Sequence, residues 1–200
     1  MEGHRIDRRL MKDAADFQKR HLIFEYHNVS HVLDALGSGV MYGRMEGIGE
    51  QEEKLLHTSL LLHEIGMIYG REGHEEMSAC VAAFVLPHYC YSESEIREVC
   101  RVIRSSQDPA NPGDLLEKLF LDADIDNLGR PDFWIRAESV RKEEHAKQGL
   151  DWLLHLKGLL SNHKYYTGSA GRLRSAGLKK NLHALDDVIE EYQRLYVFYS

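Results

Sequence analysis

The stretch LLLHEIG, Leu60 to Gly66, sets a histidine and a glutamate directly after an unbroken apolar run. An ionised carboxylate away from water is strongly disfavoured unless something compensates its charge. His63 and Glu64 must therefore either turn out to solvent or share a partner inside, and a metal ion is one such partner. Leu56, Ser59 or Leu60, and His63 fall on adjoining turns of one helical face, and Leu61 and Leu62 widen that stripe until the helix end is buried all round. Neighbouring helical positions diverge by about 100°, so two consecutive residues cannot both point at one spot within a regular helix. At a helix end they can still converge on an ion lying between them, and Gly66 supplies the stop signal.

Outward from this stretch, apolar residues recur at spacings of three and four, the helical period. The pattern predicts helices at about 28–46, 51–64, 75–86, 93–105, 114–127, 131–147, 148–163 and 179–198. Ser92 or Ser94 is the expected N-cap of SESEIREV, and QDPANPGD is a loop that leads to a cap at Asp114. The longest irregular pieces expected are Gly66–Gly73 and Tyr165–Gly177, both rich in glycine and carrying arginine. The chain thus reads as all-α, one domain over 1–200, with a core at about 20–130 and a helical extension at about 131–200.

Two hundred residues, 43% hydrophobic and 28% charged, suit a globular chain with a real core. A net charge of -7 argues against a general nucleic-acid binder. No run reaches the length of a membrane span, and MEGHRIDRRLMKDAADF lacks the apolar core of a signal peptide, so the cytoplasm is the expected compartment. The three cysteines show no C-x-x-C spacing. Cys80 and Cys100 read as small core residues, and a disulfide framework is not expected. Trp134, Trp152, Tyr165 and Tyr166 read as packing residues, and the sequence leaves a homodimer open.

Two further constellations carry chemistry. In YHNVSHVLDAL, His27 and His31 are four apart and share a face if the helix has begun by Asn28, with Leu33, Leu36 and Val40 continuing an apolar stripe beside them. In LLEKLFLDADIDNLG, Asp122 and Asp126 share one face of a helix, and Asp124 is turned about 160° from them. Leu116, Leu119, Phe120 and Ala123 form the buried stripe, so Asp124 is the aspartate expected to face inward. Two imidazoles and two carboxylates on three segments suit Mn, Fe, Co, Ni or Zn better than Mg.

The order of these motifs resembles that of the HD superfamily of metal-dependent phosphohydrolases, an all-α fold named for its His-Asp doublet, and the likeness covers most of the chain. YHNVSHVLDAL is similar to the first motif, LLLHEIG to the doublet, GHEEMSA to a following His-Glu segment and LDADIDNLG to the terminal aspartate motif. The tail HKYYTGSAGRLRSAGLKKNL is similar to that of small bacterial predicted phosphohydrolases. The resemblance implies His31, His63, Glu64 and Asp124 as ligands of one divalent ion, His27 as general acid, His74 as a ligand to a second ion, and Glu75 as its neighbouring base. Arg71, Arg172, Lys179 and Lys180 are the candidates for substrate phosphate, on charge and loop position. The expected substrate is a nucleotide or other small phosphoester. Two departures stand out: Glu64 replaces the aspartate of the doublet, and Ser105 and Ser106 occupy a segment where two-metal members carry a further histidine. They keep open a degraded binding or regulatory domain and, less strongly, a di-iron oxygenase.

Overall fold

The computed structural model describes residues 7–199, with side chains through residue 195. They divide into two compact units, the first ending at Ile125 and the second starting at Asp126. The first holds α1 (Arg8–His21), α2 (Val29–Glu46), α3 (Glu50–Leu62), α4 (His74–Val85), α5 (Glu93–Arg104) and α6 (Leu115–Asp124). The second holds α7 (Phe133–Glu143), α8 (Leu150–Asn162) and α9 (Gly168–Tyr199). Single 3₁₀ turns at Ile65–Tyr69, Leu86–Tyr89, Ser105–Gln107 and Asp126–Gly129 join some of them. The described residues include no strand, only an isolated bridge between Ile23 and Asn28. The chain is all-α, as the 3.6-residue period predicts. No helix among the described residues is long and apolar enough to cross a membrane.

In the first unit α3 lies at the centre, packed against α1, α2, α4, α5 and α6. Leu56, Leu60 and Leu61 are fully buried with Val32, Tyr42, Val99 and Phe120. Burying side chains of that size stabilises by about 1.5–3 kcal/mol each, before chain entropy is set against it. Helix starts follow local chemistry. The Asn28 side chain accepts from the amides of Ser30 and His31 and donates to the carbonyls of Phe24 and Glu25, so it both opens α2 and fixes the turn before it. Ser92 opens α5 in a capping box with Glu95, and Asp114 accepts from the Glu117 amide to open α6.

Several expectations need correction. α1 was not foreseen, because its buried stripe is Leu10, Ala14 and Gln18, sparse in carbon and interrupted by an amide. The Gln18 amide instead donates to the Leu61 carbonyl at 2.6 Å, one of the acceptors freed where α3 ends. The glycine-rich segment expected to be a loop to Gly177 is helical from Gly168. Its small residues serve close packing within the second unit: a Cβ on Gly177 would lie 2.0 Å from the Gly129 carbonyl oxygen. Leu33 is exposed, because the inward face of α2 runs through His31, Val32, Ala35 and Leu36. Cys80 is exposed on α4 with its thiol beside Glu76, so only Cys100 of that pair is a core residue. Trp152 is buried, whereas Trp134 and Tyr166 keep part of their rings in solvent.

Candidate metal centre

The end of α3 resolves the geometric problem posed by two adjacent polar residues. The α-helix stops at Leu62, His63 caps it, and Glu64 leads directly into the 3₁₀ turn Ile65–Tyr69. Glu64 stays in the right-handed helical region but opens to φ -94° and ψ -4°, and from this loosened turn both side chains reach one spot. Their partners are His31 from the first turn of α2 and Asp124, the last residue of α6. His31, His63 and Glu64 are each less than 5% exposed, and the Asp124 side chain is 20% exposed. The four residues each offer one ligand atom, all within 4.8 Å of one another.

The separations are those of ligands around a common centre. Asp124 Oδ1 lies 3.0 Å from His31 Nε2 and 3.1 Å from His63 Nε2. Glu64 Oε1 lies 3.2 Å from His63 Nε2 and 3.5 Å from His31 Nε2. Two ligands held about 2.1 Å from one ion stand about 3.0–3.4 Å apart at octahedral to tetrahedral angles. The two Nε2 atoms are themselves 3.3 Å apart. Two imidazole nitrogens that close repel if both present lone pairs, so each must carry a proton aimed at Asp124 or Glu64, or the two must share a cation.

Further features point the ligand atoms inward. The Nδ1–H of His63 donates to the Leu60 carbonyl at 2.7 Å, which leaves Nε2 for the cluster. Glu64 Oε2 is buried and has no hydrogen-bond partner, an orphaned acceptor that a cation would satisfy. The donor set therefore fits a divalent ion of the borderline class.

The electrostatics state the same demand. Burial disfavours the cationic form of His31, yet hydrogen bonds and proximity to Asp124 and Glu64 outweigh it and push the imidazole up to about 9. His63 is likewise raised well above its ordinary value, burial again opposing and Asp124 and Glu64 prevailing. Burial disfavours the charged forms of Glu64 and Asp124, but His63 and His31 override it and hold both carboxylates below their usual range. Two buried carboxylates thus call for two positive charges, supplied by two protons on the imidazoles or by one divalent cation in their place.

The other expected residues fall in different places. His27 precedes α2 and does not share a helical face with His31. Its half-buried ring still lies beside the cluster, with centroids 5.9 Å from His31 and 6.3 Å from His74. His74 opens α4. Its Nδ1–H donates to the Arg71 carbonyl at 2.8 Å, and its Nε2 lies 3.7 Å from Glu64 Oε2. Glu75 Oε2 is 3.5 Å from His74 Nδ1, and Arg71 is an exposed residue of the intervening loop. Arg172, Lys179 and Lys180 are exposed on α9, in the second unit.

Asp124 faces the cluster as expected, but Asp122 and Asp126 are buried as well, because α6 ends at Asp124 and helical geometry no longer governs Asp126. Within the second unit Arg174 binds Asp126 with two contacts, at 2.6 and 3.1 Å, and Arg130 adds a third at 3.4 Å. Ser78 was not singled out from the sequence. Its fully buried hydroxyl donates to the His63 carbonyl and accepts from the Gly66 amide. A serine one turn after a histidine, in GHEEMS, is too common a pattern to have marked it.

No known family's profile matches the sequence, and no curated protein does. A solved structure does match: a predicted HD superfamily hydrolase from an uncultured Thermotogales bacterium, 18% identical, with a TM-score of 0.62, covering 98% of this chain and 94% of that one. At that identity the likeness concerns the fold: this chain shares the all-α fold of that structure.

Proposed function

We propose that the protein is a metal-dependent phosphohydrolase acting on a nucleotide or other small phosphoester. The observation that carries this reading is the buried set His31, His63, Glu64 and Asp124, spaced as ligands and left with an orphaned Glu64 oxygen. His31 and His63 would hold the ion through Nε2, and Glu64 and Asp124 through one carboxylate oxygen each. A borderline divalent ion there would supply Lewis-acid charge against a phosphoryl group and acidify water. In hydrolysis water adds to phosphorus, the ester P–O bond breaks, and the departing oxygen takes a proton. His27 is the candidate donor, since its ring sits at the edge of the cluster and a protonated imidazole can donate a ring N–H. Arg71, in the loop that leads to His74, is a candidate phosphate contact.

One observation favours a second ion: His74 Nε2 lies 3.7 Å from the orphaned Glu64 Oε2, and its ring is anchored to a backbone carbonyl as that of His63 is. Glu75 would then act beside it as a base. The longer reach of Glu64, compared with aspartate, suits a carboxylate that serves both positions.

Elemental analysis of protein purified without chelator, followed by a screen of phosphomonoesters and phosphodiesters with Mn, Fe, Co, Ni and Zn, tests the proposal. One or two equivalents of metal with hydrolysis support it. Metal without hydrolysis of any ester in the screen points to a regulatory or binding domain, and protein that neither carries nor takes up metal overturns it. Two equivalents of iron with oxygen consumption would move the reading to an oxygenase.

A further inference from the structure

The end of α3, where His63 and Glu64 converge, is held by a residue outside the ligand set. In a continuing α-helix the His63 carbonyl would accept from the Met67 amide and the Gly66 amide would donate to the Leu62 carbonyl. Here the Met67 amide bonds the Glu64 carbonyl instead, at 3.0 Å, which is the 3₁₀ pattern. The break leaves the His63 carbonyl and the Gly66 amide without helical partners, and both sites are buried. A buried backbone group left unpaired is costly, so the break persists only if something replaces both bonds. One hydroxyl does: Ser78 Oγ donates to the His63 carbonyl and accepts from the Gly66 amide. The backbones interlock around it. A Cβ on Gly66 would stand 2.1 Å from the His74 carbonyl oxygen and 2.6 Å from the Ser78 amide.

We infer that Ser78 is the positioning residue of the metal centre: its hydroxyl takes the place of the missing helical turn and thereby sets His63 and Glu64 on one ion. The inference rests on the metal reading above and concerns a residue that touches neither the ion nor a substrate. It also explains why α4 packs so tightly on the 3₁₀ turn, since His74, one turn before Ser78 on the same helix, is carried to Glu64 by the same contact.

The test compares wild type with Ser78→Ala and with Ser59→Ala, a control that removes an equally buried hydroxyl bonded to the Leu55 carbonyl of its own helix and, at 3.5 Å, to the Val99 carbonyl of α5. Three quantities are read: Co²⁺ affinity from the visible absorbance of the bound ion, urea stability, and hydrogen exchange of the 60–70 segment in metal-free protein. Removing a group that orients a metal ligand weakens binding by about 10–100-fold. Ser78→Ala should lose at least tenfold in Co²⁺ affinity and lose amide protection around Gly66, whereas Ser59→Ala keeps Co²⁺ affinity within about twofold at a similar stability loss. Equal Co²⁺ affinity in wild type and Ser78→Ala overturns the inference, and so does an equal loss in Ser59→Ala. If Ser78→Ala does not fold, Ser78→Thr decides: it retains the hydroxyl, and a Co²⁺ affinity near that of wild type supports the role while a tenfold loss overturns it. Wild-type protein that takes up no Co²⁺ overturns the metal reading itself, an outcome distinct from the others.

Discussion

Asp124 and Asp126 are two residues apart in sequence, and each is drawn out of water toward a different kind of cation. Asp126, in the second unit, is gripped by the guanidiniums of Arg174 and Arg130, which stay charged at every accessible pH and match a carboxylate with fixed, paired donors. Asp124, in the first unit, faces two imidazoles, whose positive charge depends on protons that can leave. The first arrangement is complete as built. The second is exchangeable: a divalent ion can displace the protons and use the same four side chains. The contrast separates a carboxylate that holds a fold together from one that belongs to the candidate metal centre.

The largest effect should come from attacking the exchangeable side. His63→Ala is expected to drop bound transition metal from about one equivalent per chain to background and to abolish any phosphoester hydrolysis. Elemental analysis reads this directly, and an unchanged metal content would erase the distinction between the two aspartates. Next comes the fixed side. Arg174→Ala leaves Asp126 buried with a weakened counter-charge and should cost about 3 kcal/mol of stability in urea unfolding, whereas a loss below about 1 kcal/mol would show that Arg130 alone suffices.

A smaller effect sharpens the comparison through pH. His31 and His63 have folded-state values above the ordinary 6.5, so their contribution in metal-free protein is complete below that pH and is lost as pH rises through about 9, the value of His31. Glu64 and Asp124 are depressed, so their contribution is present above the ordinary 4.5 and 3.8 and is lost on acidification. Metal-free protein should therefore melt on the order of 5 °C lower at pH 9 than at pH 6.5. Added Zn²⁺ or Co²⁺ should remove or invert that slope, because metal binding strengthens as the imidazoles deprotonate. A flat melting temperature across this range without metal would contradict the proton-for-metal exchange. The smallest effect belongs to Lys180→Ala, an exposed position that should change stability by no more than about 0.5 kcal/mol. Urea unfolding reads it, and a loss above about 1 kcal/mol would show that the side chain carries part of the fold.

How much of this was legible in the sequence differs between the two sides in the same way. His31, His63, Glu64 and Asp124 stood out as polar residues beside apolar runs, and the order of their motifs, which resembles that of the HD superfamily, joined them into one set. The caps at Ser92 and Asp114 were legible because capping is local chemistry. α1 was not, since its interior position Gln18 looks like a surface residue until the Leu61 carbonyl that it serves is in place. The start of α9 was hidden for a related reason: GSAG has weak helical propensity, and close packing of Gly177 on Gly129 overrides it. Arg174 and Ser78 act through partners 48 and 15 residues away, distances over which no spacing rule speaks.

The break at the end of α3 has a consequence for the life of the folded chain. His63 meets one partner 32 residues earlier and another 61 residues later. An ion joining all three segments would act as a reversible cross-link across two long loops, and such a link restrains most where the loops are long. Binding only the folded form, it would lengthen the time the first unit resists a protease without adding a single contact elsewhere.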